Sequence, residues 1–321
     1  MESKSNDIFL RQNEDGNIDL LAAQRQMYSE AKRASNYQFA ICVVVPILVP
    51  FLKAVALSNM IYLGFITLLP LVIIVVNQYF FEKIIKNKKE KAAKFQELFD
   101  TNVFKLSWNN KLSGSKEFAT KDLSNTAQKY KKKHVSLSNL KNWYPKEYST
   151  VDLSAGRVMC QKVNASWDGE IRASFQSFLI KLLLGCIFLI IAISMLLNKT
   201  FAETLISIIA PLFPIAFYIF KRYSENKETI VRLDKLTDKA DRLWENVLSG
   251  IVEQNDLQIQ SRQLQNEIYK HRSNALLIWD WFYLRNRSKQ ENNMNDSANL
   301  IVDEYLTGGL TEETKKSMTV I

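Results

Sequence analysis

The chain contains little of the material from which enzyme active sites and metal centres are usually built. Its 321 residues include only 9 glycines, 3 cysteines and 2 histidines. Few glycines argue against a loop-built catalytic site, and the sequence has no glycine-rich phosphate loop, nucleophile elbow or zinc motif. The cysteines (Cys42, Cys160 and Cys186) lack disulfide or metal-ligand spacing, and His134 and His271 lie far apart. The sequence therefore predicts that the protein is not an enzyme and has neither a metal nor a cofactor.

An apolar segment is also missing from the start of the chain, although long apolar runs follow. The first 38 residues are polar, so we expect no cleavable signal peptide. Four later runs each approach the roughly 20 residues that a helix needs to cross a bilayer core. These runs are 39–57, 60–81, 175–197 and 201–220. Because very short turns join the first run to the second and the third to the fourth, they predict two transmembrane hairpins.

Positive charge is concentrated at one end of each predicted hairpin. The flanking cations include Arg25, Lys32 and Arg33 before the first run, Lys83, Lys86 and Lys88 after the second, Arg172 before the third, and Lys221 and Arg222 after the fourth. The turns inside the hairpins carry only Lys199. The positive-inside rule then predicts a multi-pass membrane protein with both termini in the cytoplasm. The net charge of +9 is explained by a basic surface beside anionic lipid, so we expect the bilayer and no nucleic acid as a partner.

These observations predict an all-α membrane protein with four transmembrane helices arranged as two hairpins and with helical cytoplasmic segments. The predicted segments are an N-terminal cytoplasmic helical segment (1–38), transmembrane hairpin 1 (39–81), a central cytoplasmic helical segment (82–174), transmembrane hairpin 2 (175–220), a long C-terminal cytoplasmic amphipathic helix (221–285), and a polar linker and tail (286–321).

An apolar stripe follows the predicted C-terminal helix at spacings of three and four residues, which is typical of a coiled-coil seam. The candidate oligomer seam consists of Ile230, Leu233, Ala240, Trp244, Val247 and Ile251. Two alternatives remain at this point. The seam either packs against the central segment of its own chain or joins the subunits of a homo-oligomer.

Two ionisable residues lie at matched depths near the outer ends of the predicted spans. Lys53 is near the end of the first run, and Glu203 is near the start of the fourth. Charged residues inside spans are usually functional, so we predict an intramembrane pair. The alternative is that each side chain reaches the outer surface separately. Prolines in three of the four runs favour kinks, which serve either packing or gating.

Several motifs resemble a known family. These are RQNE at 11–14, AAQRQMYSEAK at 22–32, NWYP at 142–145, CQKVNASWD at 160–168 and DWFY at 280–283. In combination, over roughly residues 8–285, they resemble the SMODS-associated four-transmembrane family of pore-forming effectors. The resemblance implies a role in bacterial anti-phage defence, in which a partner nucleotidyltransferase makes a cyclic nucleotide messenger upon infection. The messenger would activate a homo-oligomeric effector that permeabilises the inner membrane and causes abortive infection.

A messenger of this kind would need cations for its phosphates and aromatic faces for its bases. The central segment offers such residues. The candidate ligand-binding residues are Lys131, Lys132, Lys133, Trp143, Tyr144, Arg157, Lys162, Trp167 and Arg172. The alternative is that the lysines face lipid and the aromatic residues belong to a core. Two other functions also fit the sequence, namely a non-conducting membrane scaffold or sensor, and an ion channel or transporter unrelated to defence.

Overall fold

The computed structural model describes residues 6–49, 60–166, 169–196, 200–283, 285 and 299–307. Within these residues all regular structure is helical and no strand occurs, so the predicted all-α class is confirmed. In chain order the helices are α1 (Ile8–Arg11), α2 (Asp15–Phe39), α3 (Met60–Val76), α4 (Glu82–Phe104), α5 (Asn110–Ser113), α6 (Lys116–Thr120), α7 (Leu123–Lys131), α8 (Leu153–Ser166), α9 (Gly169–Leu196), α10 (Phe201–Thr204), α11 (Ala210–Ser249), α12 (Gln254–Asn274) and α13 (299–306). Residues 45–49 and 280–283 are also helical.

Within the residues that the structure describes, three π-helical turns continue neighbouring helices without breaking them. They are Ala40–Val44 after α2, Asn77–Phe81 between α3 and α4, and Leu205–Ile209 between α10 and α11. Turns of this kind are frequent at functional sites, because the extra residue changes which side chains face a partner. The second turn contains the buried Asn77, at the point where an apolar helix becomes a polar one.

Two helices of the described part are long and apolar enough to cross a membrane, Phe65–Phe104 and Ile171–Phe188. The first of them has 40 residues and is therefore about 60 Å long, roughly twice the thickness of a bilayer core. Its polar half must project out of any membrane that its apolar half crosses. The predicted runs 39–57 and 201–220 are not among these two helices, and residues 50–59 lie outside the described part. The four-span arrangement remains a prediction.

The polar ends of the long helices pack into a helical bundle with its own core. In this bundle α2 packs along α4 and α7, while α11 packs on α8 and α12. On α4 the buried side chains of Phe95, Leu98, Phe99 and Val103 recur at spacings of three and four, which places them on the inner face. We call this part the polar bundle.

The C-terminal helix is not a single helix, which corrects the prediction for residues 221–285. Helix α11 ends at Ser249, and α12 begins four residues beyond Gly250. Gly250 adopts a left-handed conformation (φ 62°), which ends a helix at little cost because glycine has no Cβ. The chain then turns back, so that α12 packs on α11. The helical periodicity continues through both helices, which is why it did not reveal the turn.

Most of the candidate oligomer seam is buried within a single chain. Leu233, Ala240, Trp244 and Val247 belong to the core of the polar bundle. Ile230 is half-buried, whereas Ile251 lies beyond the end of α11 and is 85% exposed. Packing within the chain, one of the two alternatives, therefore accounts for the four buried residues. Contact between subunits through this stripe stays a prediction.

Candidate functional site

The structure does not gather the candidate ligand-binding residues into one site. Lys131, Lys132 and Lys133 are exposed at the end of α7, where Lys131 pairs with Asp19. Trp143 is half-buried, with the Arg25 guanidinium 5.3 Å from the centre of its ring. The three lysines thus form an ordinary solvated helix end.

Three other candidates are buried and engaged in structural contacts at separate places. The Tyr144 hydroxyl donates to Asp100 (2.8 Å), the Arg157 Nε donates to the Phe104 carbonyl (3.0 Å), and Arg172 donates to the Leu276 carbonyl (3.1 Å). Burial also lowers the pKa of Arg157 below its ordinary value. Their roles here are in packing and helix termination.

Four further candidates are accounted for as follows. Lys162 pairs with Asp241 on α11, and Trp167 lies outside the described residues. Lys53 of the predicted intramembrane pair also lies outside them. Its partner Glu203 caps α10, because its carboxylate accepts hydrogen bonds from the Thr200 amide (2.9 Å) and hydroxyl (3.0 Å).

A network of charged and polar groups lies at the centre of the polar bundle. Asp100 on α4 accepts hydrogen bonds from Arg272 and Gln265, and Glu97 accepts from Gln265 and Arg262. Both carboxylates are fully buried. Burial alone would lower the pKa of Arg272, but the adjacent Asp100 carboxylate outweighs that effect and holds the pKa above its ordinary value. These pairs fix the register of α12 against α4.

The linker that follows α12 is held by cations from three different helices. Lys89 on α4 donates to the Ala275 carbonyl (2.9 Å), Arg172 on α9 to that of Leu276 (3.1 Å), and Arg222 on α11 to that of Leu277 (3.2 Å). Each of these helices continues directly into, or directly from, an apolar run. We call residues 275–277 and these three cations the linker clamp.

Arg222 extends the linker clamp to the first apolar helices. Its guanidinium donates to the Ser35 hydroxyl (2.6 Å) and to Gln38 Oε1 (2.8 Å) on α2. The Gln38 amide in turn donates to Asn77 (2.7 Å) in the second π-helical turn. One buried network therefore joins the linker, α2, α11 and the helix of Phe65–Phe104 at the boundary between polar and apolar structure.

An aromatic cluster lies directly beyond the linker clamp. The ring of Trp279 meets Phe39 and Phe175 edge to face at centroid distances of 5.2 Å and 5.3 Å. The ring of Phe282 meets Phe175 (5.2 Å) and Phe178 (5.6 Å). Residues 278–283 thus pack against the ends of apolar helices, while α12, immediately before them, packs in the polar bundle. This short segment connects the two halves of the molecule.

His271 lies in the last turn of α12, before the linker clamp. Burial, together with the charges of Arg172, Arg272 and Arg232, lowers its pKa to about 3. The ring is therefore neutral at neutral pH. Among the described residues no cluster of three histidine, cysteine or acidic side chains could hold a metal ion.

Two clefts lined mostly by polar and charged residues open on the bundle surface. One of about 560 Å³ lies between α11 and α12 beside α5, and one of about 580 Å³ lies near the N-terminal segment and the start of α8. Both are in the size range of small-molecule sites. In the second cleft Arg11 and Arg157 already donate to the carbonyls of Val103 and Phe104, which lack partners within α4 because that helix ends there.

Comparison with known proteins identifies the family of the chain. The SMODS-associating 4TM effector domain matches residues 6–301. The chain belongs to this family. It is also 28% identical over 294 residues to a probable CBASS effector molecule of Bacillus cereus (strain VD146). The matched region covers 88% of this chain and 94% of that relative. No solved structure matches the chain significantly. Membership in a four-transmembrane effector family and two membrane-length apolar helices are together consistent with a membrane location.

Sequence reasoning missed the linker clamp and the buried network. Glu97 and Asp100 carried a usable signal, because they stand among the apolar residues Phe95, Leu98, Phe99 and Val103 of one helix. Charged residues at such positions are rarely buried unless they are paired. Their partners on α12 are about 165 to 172 residues away in sequence, so no local pattern identifies them.

Proposed function

We propose that the protein is a non-enzymatic membrane effector of a bacterial anti-phage system, activated by a cyclic nucleotide from a partner nucleotidyltransferase. Upon activation it permeabilises the inner membrane and so causes abortive infection. The family match over nearly the whole chain carries this proposal, together with the similarity to a probable CBASS effector.

The proposed topology has four spans, with both termini and the polar bundle in the cytoplasm. The distribution of lysine and arginine supports this orientation, since the predicted outer turns carry only Lys199. The exposure of large apolar side chains supports the placement of these helices in a membrane. Phe65, Phe188 and Phe201 are 71%, 74% and 80% exposed, as residues that face lipid or a neighbouring subunit would be. With this topology any trigger must arrive from the cytoplasm.

The linker clamp supplies a route from such a trigger to the membrane. A change in the position of α12 moves residues 275–277, and these residues are bonded to the polar ends of helices α4, α9 and α11. A ligand shifts the population of open channels only if it binds the open state more tightly than the closed state. The proposed trigger therefore changes the arrangement of the polar bundle, and the linker clamp passes that change to the spans.

Four spans cannot enclose a wide aqueous path, so the proposed active form is a homo-oligomer. Its contacts would involve the exposed apolar faces of α3 and α9, since these helices present large side chains outward, among them Leu68, Leu71 and Leu184. The stripe on α11 is less suited to this task because four of its residues are already buried.

The test is expression of the chain with and without the partner nucleotidyltransferase, followed by phage infection. Membrane potential and dye entry are measured in each strain. Depolarisation confined to infected cells that contain both proteins supports the proposal. If cells are protected while the potential is preserved, pore formation is wrong, and a non-conducting scaffold or sensor is favoured.

A further inference from the structure

We infer that the cleft between α11 and α12 is the binding site for a cyclic oligonucleotide. This inference rests on the proposed function and deepens it by placing the ligand. The cleft has a volume of about 560 Å³ and is lined by side chains from α11, α12 and the residues at the start of α5. The candidate residues predicted from the sequence do not line it.

The cations in the cleft suit a ligand that carries more than one phosphate. Lys239 and Arg242 lie on α11, and Lys270 lies on α12. The only carboxylate among the lining residues is that of Glu267, 3.1 Å from the Lys270 ammonium and 4.0 Å from that of Lys239. Arg242 also pairs with Asp238 (2.9 Å), one turn earlier on α11 and outside the lining, so the three cations exceed their two carboxylate partners by one positive charge. Charge-assisted bonds to phosphate are strong, and a cyclic dinucleotide brings two phosphates to these three cations.

Five amide side chains line the same cleft, which suits the edges of bases. They are Asn109, Asn246, Gln260, Gln263 and Asn266. Asn109 donates to Asn266 (3.1 Å), and Asn246 donates to Gln260 (3.0 Å). An amide has two N–H donors and an oxygen that accepts twice, so each pair keeps groups available for a ligand. Amides in this number distinguish one base from another, which a surface of lysines alone does not.

The position of the cleft argues against a lipid headgroup as its ligand. Lys239 lies 19 residues beyond Phe220, the end of the fourth apolar run, which is about 28 Å along the helix. The second cleft is a poorer candidate, because two of its three cations, Arg11 and Arg157, already donate to carbonyls at the end of α4.

The cleft is directly connected to the linker clamp. Lys270 lies on the last two turns of α12, and the linker held by the clamp begins at Ala275. A ligand that bridges α11 and α12 would draw these antiparallel helices together at this end. The resulting shift of α12 acts on the carbonyls that Lys89, Arg172 and Arg222 hold.

The test measures binding of fluorescent cyclic di- and trinucleotides of adenine, guanine and uracil to the full-length protein in detergent. Arg242→Gln and Lys270→Gln should each lower the affinity for the tightest-binding nucleotide by about tenfold or more, the amount a charge-assisted bond supplies. Glu267→Gln should raise this affinity, because the competing carboxylate is removed. A variant that merely fails to fold cannot bind more tightly. Gln263→Leu should change which base is preferred.

The matched control is Lys235→Gln, an exposed lysine one turn before Lys239 on the same helix that does not line the cleft. Its affinity should equal that of the wild type. The inference is overturned if the wild type binds no member of the panel, or if the cleft variants bind like the control. If the cleft binds as expected but cells stay polarised after infection, the proposed pore is wrong and the site stands. If cells depolarise normally with Arg242→Gln, the proposed function stands and the site is wrong.

Discussion

Arg222 donates a hydrogen bond of 2.8 Å to Gln38, joining residues that are 184 positions apart in the chain. Both side chains are buried, and the same guanidinium holds the carbonyl of Leu277. A guanidinium offers five N–H donors in a fixed plane, so a single residue can join three structural elements. Here it connects α2, α11 and the linker at the level where the polar bundle meets the apolar helices.

Replacing this residue should uncouple ligand binding from permeabilisation. In Arg222→Gln the Leu277 carbonyl and the Ser35 and Gln38 side chains lose a charged partner, while the cleft between α11 and α12 is untouched. We expect unchanged nucleotide affinity and a depolarisation rate after infection that is lower by roughly tenfold to a hundredfold. Lys227→Gln, an exposed site on the same helix, is the control. Equal loss of binding and permeabilisation in Arg222→Gln would contradict the uncoupling.

The buried pair of Asp100 and Arg272 should matter strongly for stability. Asp100→Asn or Arg272→Met leaves the other charge buried without its partner, which typically costs about 3 to 5 kcal/mol. We expect a clear fall in the thermal unfolding midpoint of the solubilised protein for each variant. The double variant should lose less than the sum of both, because no uncompensated charge remains. Additive losses would mean that the two charges do not stabilise each other.

How far the sequence predicts the fold depends on the range of the interactions. The apolar runs and the buried face of α4 are local patterns, so helix positions and the continuation of run 60–81 into a polar helix follow from them. The turn at Gly250 was missed because the helical period continues beyond it. The linker clamp was unpredictable for another reason. Backbone carbonyls accept its hydrogen bonds, and a carbonyl has no signature in the sequence. The amides of the cleft are likewise ordinary surface residues until α11 and α12 are placed side by side.

Val247→Asp should destabilise the subunit itself. Val247 is buried in the core of the polar bundle, so an aspartate there would be an unpaired buried charge. We expect a loss of about 3 kcal/mol or more, measured by thermal unfolding. Ile251→Asp is the matched control, because Ile251 belongs to the same sequence stripe but is 85% exposed. A smaller native mass without loss of stability would instead favour the stripe as a contact between subunits.

Stability should fall in mild acid because of His271. Its pKa is about 3 in the folded protein and about 6.5 in an unfolded chain, so the unfolded state binds the proton first as the pH falls. His271 therefore makes its full contribution to the free energy of unfolding above pH 6.5, and this contribution is lost progressively as the pH falls towards 3. Between pH 6.5 and pH 5 the loss is about 2 kcal/mol, at roughly 1.4 kcal/mol per pH unit. His271→Gln should remove this part of the pH dependence, whereas His134→Gln, at an exposed site, should keep it. Identical pH profiles for the wild type and His271→Gln would contradict the assignment.

The proposed topology predicts which positions react with a thiol reagent that cannot cross the membrane. In a variant without native cysteines, Lys199→Cys should be labelled in intact cells, because residue 199 lies in a predicted outer turn. Lys235→Cys should be labelled only after the membrane is opened with detergent. Lys235 is exposed on α11, so a cysteine at this position should react once the reagent reaches the cytoplasm. Ala240 is fully buried, so a cysteine there would stay unlabelled on either side of the membrane. The detergent-treated sample is the internal control, since both cysteines should react there.

Labelling of Lys235→Cys in intact cells would place the polar bundle outside the cytoplasm. A cytoplasmic messenger could then not reach the cleft between α11 and α12, and both the proposed trigger and its site would have to be abandoned.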